Sequence, residues 1–381
     1  MSFDSAVDAY RDPPFRFFDN REKYLLFVST CNEKQVIADR IAMDTRSTEP
    51  GPTGLRVFDA GMGDGTVLTR VMRYLHSRFP EVPFLIVAKE ASVEDVSIGL
   101  DKMADRFFEH PAMVLVITNM LYSEAPQLYP RSKSMQARLN WVEMPLYGST
   151  AHEFDTQIGE QQHRIREWWQ TRPSEKTGNP MYVSPSVLVM YRSDRARELE
   201  TVMPRAGDRG HEYDVIIAAQ PFRASTPADV KVRNVLAPLA KSLAKEGRMV
   251  VIQSTGKDPG MEIVQGIWPE DTPFKTPRQI LVQELASQLG HSHPDLRFIS
   301  YPDSHAIFRY ALRVDPSEVA AYIGTSTILA AWNAATYVAQ IDDRRLRDAM
   351  SSSEYLDVTS KILNKYGGLW FADESFLVTR V

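Results

Sequence analysis

Asp59 and the glycines after it are the residues of this chain best placed by type and spacing to do chemistry. The stretch reads Val57-Phe58-Asp59-Ala60-Gly61-Met62-Gly63-Asp64-Gly65-Thr66, an apolar run that ends in a carboxylate and breaks into alternating glycines. Without a Cβ, such a backbone can take positive φ and come close to a ligand. A carboxylate at that point can meet a cationic amino group, and its charge is unfavourable beside a pyrophosphate. Three other apolar runs also end in polar residues. Glu90 follows residues 84–89, Asn119-Met120 come just after 114–117, and Gln220-Pro221-Phe222 follow 213–219. In doubly wound sheets, ligands bind at such strand ends, where the strand order reverses.

The elements that must position these residues are legible from residue 55 onward. Leu55-Arg-Val-Phe-Asp59 reads as a short strand. Val67, Leu68, Val71, Met72 and Leu75 recur on one helical face. Residues 84–88 and 114–117 are continuous apolar runs of the length of buried parallel strands, and 213–219 read as another buried strand. A helix through about His110 separates the second and third runs. Val232, Val235, Leu236, Leu239 and Leu243 predict a helix kinked near Pro238 and capped by Gly247, before a fifth strand at 248–252. Alternating strands and helices predict an α/β fold, a doubly wound, mostly parallel sheet. A long insertion or cap interrupts it after the third strand, at 123–210, with pieces at 161–170 and 187–191. Helical additions fill 256–350, and residues 369–379 read as a closing strand, antiparallel to its neighbours. Residues 1–50 read as an N-terminal helical segment covering the site, its helices around Tyr24 and Phe27 forming one acceptor wall, with Thr30 and Glu33 at capping-box spacing. The expected divisions are 1–50, 51–122 (first half of the core), 123–210 (cap) and 211–381 (second half with additions).

The segment around Asp59 resembles the D-x-G-x-G-x-G motif of class I (Rossmann-like) S-adenosylmethionine-dependent methyltransferases, residue for residue at Asp59, Gly61, Gly63 and Gly65. The resemblance covers roughly 54–122 and 212–255. It implies S-adenosyl-L-methionine as cofactor, held by Asp59, Gly61, Met62, Gly63, Gly65, Glu90, Asn119, Met120 and Gln220. It implies ribose contacts for Glu90, an adenine-edge contact for Asn119-Met120 and, outside the cofactor set for Phe222, an acceptor-proximal place for Gln220 and Phe222. Gln220-Pro221-Phe222 is a partial likeness to the [Asp/Asn/Ser]-Pro-Pro-[Tyr/Phe] motif of amino-methylating enzymes, with Gln in first place and one proline missing. A dinucleotide site would want G-x-G-x-x-G, and position 66 is Thr.

Composition narrows the function classes. The 381 residues carry a net charge of −5 and a pI near 6.0, which argues against a broad nucleic-acid or anionic-membrane footprint. Residues 131–210 hold twelve Lys/Arg and ten Asp/Glu, so the cation- and aromatic-rich stretch from His163 to Arg172 reads as an amphipathic helix over the site. One cysteine, Cys31, excludes an internal disulfide and reads as a packed thiol. His291-Ser-His293 lacks further ligands and reads as a polar loop after a helix ending near Gly290, so no metal is expected. The acidic N-terminus is no signal peptide and no apolar run spans a bilayer, which makes cytoplasm the expected address. The reading is a methyltransferase with a small-molecule acceptor. Its alternatives are a cofactor-binding protein without catalysis, or a methyltransferase acting on a protein or nucleobase nitrogen. The acceptor atom, any general base and the oligomeric state are not legible.

Overall fold

The computed structural model describes residues 21–174, 180–313 and 324–381. Its first strands in chain order are β1 (Leu55–Asp59), β2 (Phe84–Lys89) and β3 (Met113–Thr118). The interruption contributes β4 (Asn140–Leu146), β5 (Thr171–Pro173), β6 (Pro180–Tyr182) and β7 (Ser186–Arg192). Then come β8 (Tyr213–Ala219), β9 (Leu243–Ser254), β10 (Leu296–Ile299), β11 (Ile307–Ala311) and β12 (Trp370–Arg380). Ten of them form one sheet in the order β10-β12-β9-β8-β1-β2-β3-β7-β4, with β11 also on β12, while β5 and β6 make a separate hairpin.

The centre β9-β8-β1-β2-β3 is parallel throughout. The order reverses between β1 and β8, since β1 leads to β2 on one side and the chain returns to β8 on the other. That is the switch point. The closing strand β12 runs antiparallel to β9, as the sequence predicts.

Both faces of the sheet are covered, so its central strands are near-continuous Val, Ile and Leu. Val57, Ile86, Leu115 and Ile217 pack on one face with Leu68, Val71, Met72 and Leu75 of the helix Thr66–Arg78. Phe58, Val87, Val116 and Ile216 face the other way, onto Val232, Leu236, Leu281 and Leu285. A third cluster joins Phe27 of the helix Arg21–Thr30 to Ala331, Trp332 and Tyr337 of the helix Thr325–Val338.

Several local expectations are corrected. Thr30 and Glu33 form no capping box. Thr30 ends the first helix with its hydroxyl on the Leu26 carbonyl (2.7 Å). The next helix, Glu33–Asp44, starts after Asn32, whose side chain instead accepts from the Ala311 amide (2.7 Å). Within the segment 123–210, β7 and β4 extend the sheet beyond β3, which its apolar pattern does not announce. The helix before β9 ends at Ala240, so Leu243 and Gly247 belong to the strand. Its irregularity is a π turn at Val232–Leu236, just ahead of Pro238, which has no N–H to close the regular bond. In the stretch 256–350, β10 and β11 are short strands that its helical pattern hides. Residues 1–20 of the expected N-terminal segment lie outside the described residues.

Candidate active site

The glycine loop leaves the end of β1 at the switch point. Asp59 is buried, and its Oδ1 accepts from the Gly61 amide (3.1 Å). Burial pushes its pKa up to about 7; the Gly61 bond lowers it, Glu90 repels the charge, and Lys34 favours it. Gly63 has φ 52° and Gly65 φ 77°. A Cβ at Gly65 would stand 2.9 Å from the Gly99 Cα, so this glycine lets the loop pack on the helix Val93–Leu100. Gly61 differs. A Cβ there would meet no atom within 4 Å, so the loop is open on that side.

Glu90 fastens this loop to the next one. Its Oε2 accepts from the Gly63 amide (2.9 Å), and its Oε1 from Ala91 and Ser92 (2.7 and 2.9 Å). Burial and the nearby Asp95 raise its pKa, against the pull of Lys89 and the amides. A carboxylate oxygen has two lone pairs, so one on Oε2 is left for a ligand hydroxyl. Trp169, just past the helix Gln162–Trp168, donates to the Glu90 carbonyl (2.8 Å), which brings the end of that helix beside Glu90.

Asp59, Gly61, Gly63, Gly65 and Glu90 therefore come together. The others divide. Met62 donates its amide to the Lys89 carbonyl (3.0 Å) and buries its side chain against Gly99. The Asn119 amide is spent inside the protein: Oδ1 accepts from the Ser186 amide (2.8 Å), and Nδ2 donates to the carbonyls of Ser184 (3.1 Å) and Trp168 (3.4 Å). It clamps β3 to β7. Met120 is buried in the core of the opposite face.

Gln220 ends β8 with φ 50°, a conformation uncommon outside glycine. Its Nε2 donates to Ser254 Oγ (2.9 Å) and Asp373 Oδ2 (3.3 Å). A cavity beside it is lined by Gln220, Phe222, Lys231, Gln253, Phe274 and Thr276. Lys231 lies 4.7 Å over the Phe222 ring and donates to the Ala224 carbonyl (3.0 Å) and to Thr276. Burial draws its pKa down to about 8.

Sequence reasoning placed Tyr24 in the N-terminal wall of the site but missed the groups that it meets there. Tyr24 donates to Asp64 Oδ1 (3.1 Å) and accepts from the Asp64 amide (3.2 Å). Lys34 pairs with Glu33 (3.2 Å) and stands 5.6 Å from the centre of the Tyr24 ring. Burial would depress its pKa, but the carboxylates of Glu33 and Asp64 outweigh that and raise it. Asp373 meets Gln220 from a strand more than 150 positions away. Of these, only Asp64 stood within a recognisable motif. Cys31 is buried, and burial pushes its thiol up to about 12, so it is a packed side chain. His291 and His293 lie just past the helix Arg278–Leu289, as expected. Among the described residues, no cluster of three His, Cys, Asp or Glu could hold a metal, and no helix is long and apolar enough to cross a membrane.

No protein-family model matches the chain, and no curated protein matches it. Solved structures do align. The plantazolicin methyltransferase BpumL is 8% identical, over 95% of this chain and 92% of that one, with a TM-score of 0.35. A geranyl diphosphate methyltransferase is 10% identical over 92% and 78%, with a TM-score of 0.33. Phosphoethanolamine N-methyltransferase 2 of Haemonchus contortus is 11% identical over 90% and 52%, with a TM-score of 0.27. Superpositions this loose place no residue, and the fold is read from the molecule itself. With its parallel centre reversing between β1 and β8, its antiparallel closing strand and its glycine loop at the switch point, the chain has the Rossmann-like fold of the class I S-adenosylmethionine-dependent methyltransferases.

Proposed function

We propose that this chain binds S-adenosylmethionine across the ends of β1 and β2 and transfers its methyl group to a small molecule held beside Gln220 and Phe222. One observation carries the reading: a glycine loop, open at Gly61, lies at the switch point between two buried carboxylates, Asp59 and Glu90. That pair suits a ligand with a cationic amino group and ribose hydroxyls, and it repels a pyrophosphate.

In this reading Asp59 meets the amino group, the free lone pair of Glu90 Oε2 takes a ribose hydroxyl, and the backbone of residues 61–65 lies along the ligand. Asn119 supports the pocket from behind, its amide tied to Ser186, Ser184 and Trp168. The cofactor supplies an electrophilic methyl group, and the protein's part is alignment and exclusion of water. Trp169, Tyr24 and the helix Arg21–Thr30 form the cover. The acidic balance of the chain, a net charge of −5, suits a small acceptor better than a duplex.

The test is transfer of labelled methyl from S-adenosylmethionine by the wild type and by Gly63→Arg. Tyr24 Oη lies 3.0 Å from where a Cβ at position 63 would stand, so an arginine there fills the cleft. Transfer by the wild type, with loss of both transfer and cofactor binding in a folded variant, supports the reading. Unchanged binding in the folded variant contradicts it.

A further inference from the structure

The cofactor reading leaves one ligand charge unmatched. S-adenosylmethionine and S-adenosylhomocysteine carry a carboxylate on the same carbon as the amino group that Asp59 meets. An ion taken into a closed site needs a counter-charge, so the protein should hold a cation close to Asp59. Three lysines stand around the glycine loop, and two of them are committed elsewhere. Lys102 donates to Asp64 Oδ2 (3.0 Å), Thr66 Oγ1 (3.2 Å) and the Asp64 carbonyl. Lys89 lies 4.6 Å over the Tyr122 ring, and its charge acts on Glu90. Lys34 is the cation whose charge acts on Asp59.

Lys34 sits in the first turn of the helix Glu33–Asp44, where the helix dipole disfavours a cation, so helix formation does not account for it. Its ammonium is 5.6 Å from the centre of the Tyr24 ring, and the Tyr24 hydroxyl lies 3.0 Å from where a Cβ at Gly63 would stand. Tyr24 thereby brings Lys34 to the side of the loop that carries the cover. An ammonium has three N–H groups, and at most one serves Glu33 (3.2 Å). Asp64 is already engaged by Tyr24, Thr66 and Lys102. At least two N–H groups of Lys34 thus have no acceptor among the described residues. Its side chain is 21% exposed, so a ligand can reach it. Asp59 is in a matching condition. Its Oδ1 takes the Gly61 amide, its other oxygen has no hydrogen-bond partner among the described residues, and the loop is open at Gly61.

We propose that Lys34 takes the carboxylate at the amino-acid end of the cofactor while Asp59 takes the amino group, so that the pair selects ligands carrying both charges. This rests on the cofactor reading above. The four-carbon stem of lysine lets the ammonium swing from Glu33 to the ligand. Burial disfavours the charged form, but Glu33 and Asp64 hold the group protonated. A ligand that keeps the amine and lacks the carboxylate meets the opposite situation: Asp59 still attracts it, and Lys34 repels it.

The test is calorimetric titration of the full chain with S-adenosylhomocysteine and with its decarboxylated analogue, which keeps the amine, ribose and adenine. The wild type should prefer S-adenosylhomocysteine by at least about tenfold. Lys34→Met should lose that preference by binding S-adenosylhomocysteine at least about tenfold more weakly. It should bind the analogue no more weakly than the wild type does, since a repelling charge is gone. Binding of the analogue also shows that the variant is folded. A lysine that only braced the cover would weaken both ligands alike. Equal loss of both ligands in Lys34→Met, a preference that survives in that variant, or no preference in the wild type would each overturn the proposal. Failure of the wild type to bind either ligand would instead remove the reading beneath it.

Discussion

Asp59 is a carboxyl that burial holds near neutrality, and a cationic ligand would draw it to the charged form. Its pKa of about 7 without ligand sets the sign of a pH effect. Below pH 7 the amino group must displace a proton, and above it the carboxylate is ready. Affinity for S-adenosylhomocysteine should therefore fall by up to about tenfold per pH unit below 7 and level off above it. Asp59→Asn should bind weakly with no such slope; calorimetry across pH 5–8 checks both. The glycines give a second contrast. Gly61→Ala meets open space, so it should leave thermal stability within about 0.5 kcal/mol and weaken cofactor binding. Gly65→Ala must hold φ 77° against the Gly99 Cα and should cost about 2–3 kcal/mol. Equal stability of the two variants would contradict this division. Asp59, the glycines and Glu90 were legible because each follows directly on its own strand. Lys34 and Asp373 were not, because their places are set only by packing across the folded chain, and for Tyr24 the sequence indicated the helix but not its partner Asp64.

Among the elements, the chain between β3 and β8 departs furthest from the plain alternating pattern. Its strand β7 was visible as an apolar run, while β4 was hidden. An edge strand is only half covered, and its sequence, Asn140 to Leu146, alternates weakly and includes Pro145. Asn119 ties the end of β3 to the start of β7 beyond the backbone ladder that joins them. Asn119→Ala leaves the buried Ser186 amide without an acceptor and should lower stability by about 2–3 kcal/mol in urea unfolding. S-adenosylhomocysteine affinity should change less than about threefold. Normal stability with lost affinity would instead restore the adenine contact that the family resemblance implies. Helical periodicity misled at Leu243 for a related reason. It continues the apolar spacing of the preceding helix, but the backbone there already pairs with Tyr213 of β8.

At the scale of the molecule, the two ends of the described chain make one cover. Asn333 donates to the Lys23 carbonyl (3.0 Å), Lys23 pairs with Asp343, and the Arg313 amide donates to the Thr30 carbonyl (2.7 Å). Phe27 and Tyr337 are in ring contact at 5.0 Å. Tyr24 carries this layer onto Asp64 in the glycine loop, so cofactor binding and closure of the cover should be coupled. S-adenosylhomocysteine is expected to slow amide hydrogen exchange in residues 21–44 as well as 59–66, and Tyr24→Phe should weaken the effect in 21–44 alone. Protection confined to the glycine loop would show that the layer does not respond to the site. The sheet order was legible from alternating strands and helices, but this cover was not. It joins helices some 300 positions apart, and apolar periodicity names a buried face without naming what it is buried against.

The most direct measurement is calorimetric titration of the purified protein with S-adenosylhomocysteine, run in parallel with NAD. The site described here predicts saturable binding of S-adenosylhomocysteine at one site per chain, lost in Gly63→Arg, and no binding of NAD. Binding of NAD with none of S-adenosylhomocysteine, in protein shown by mass spectrometry to carry no co-purified cofactor, would contradict it.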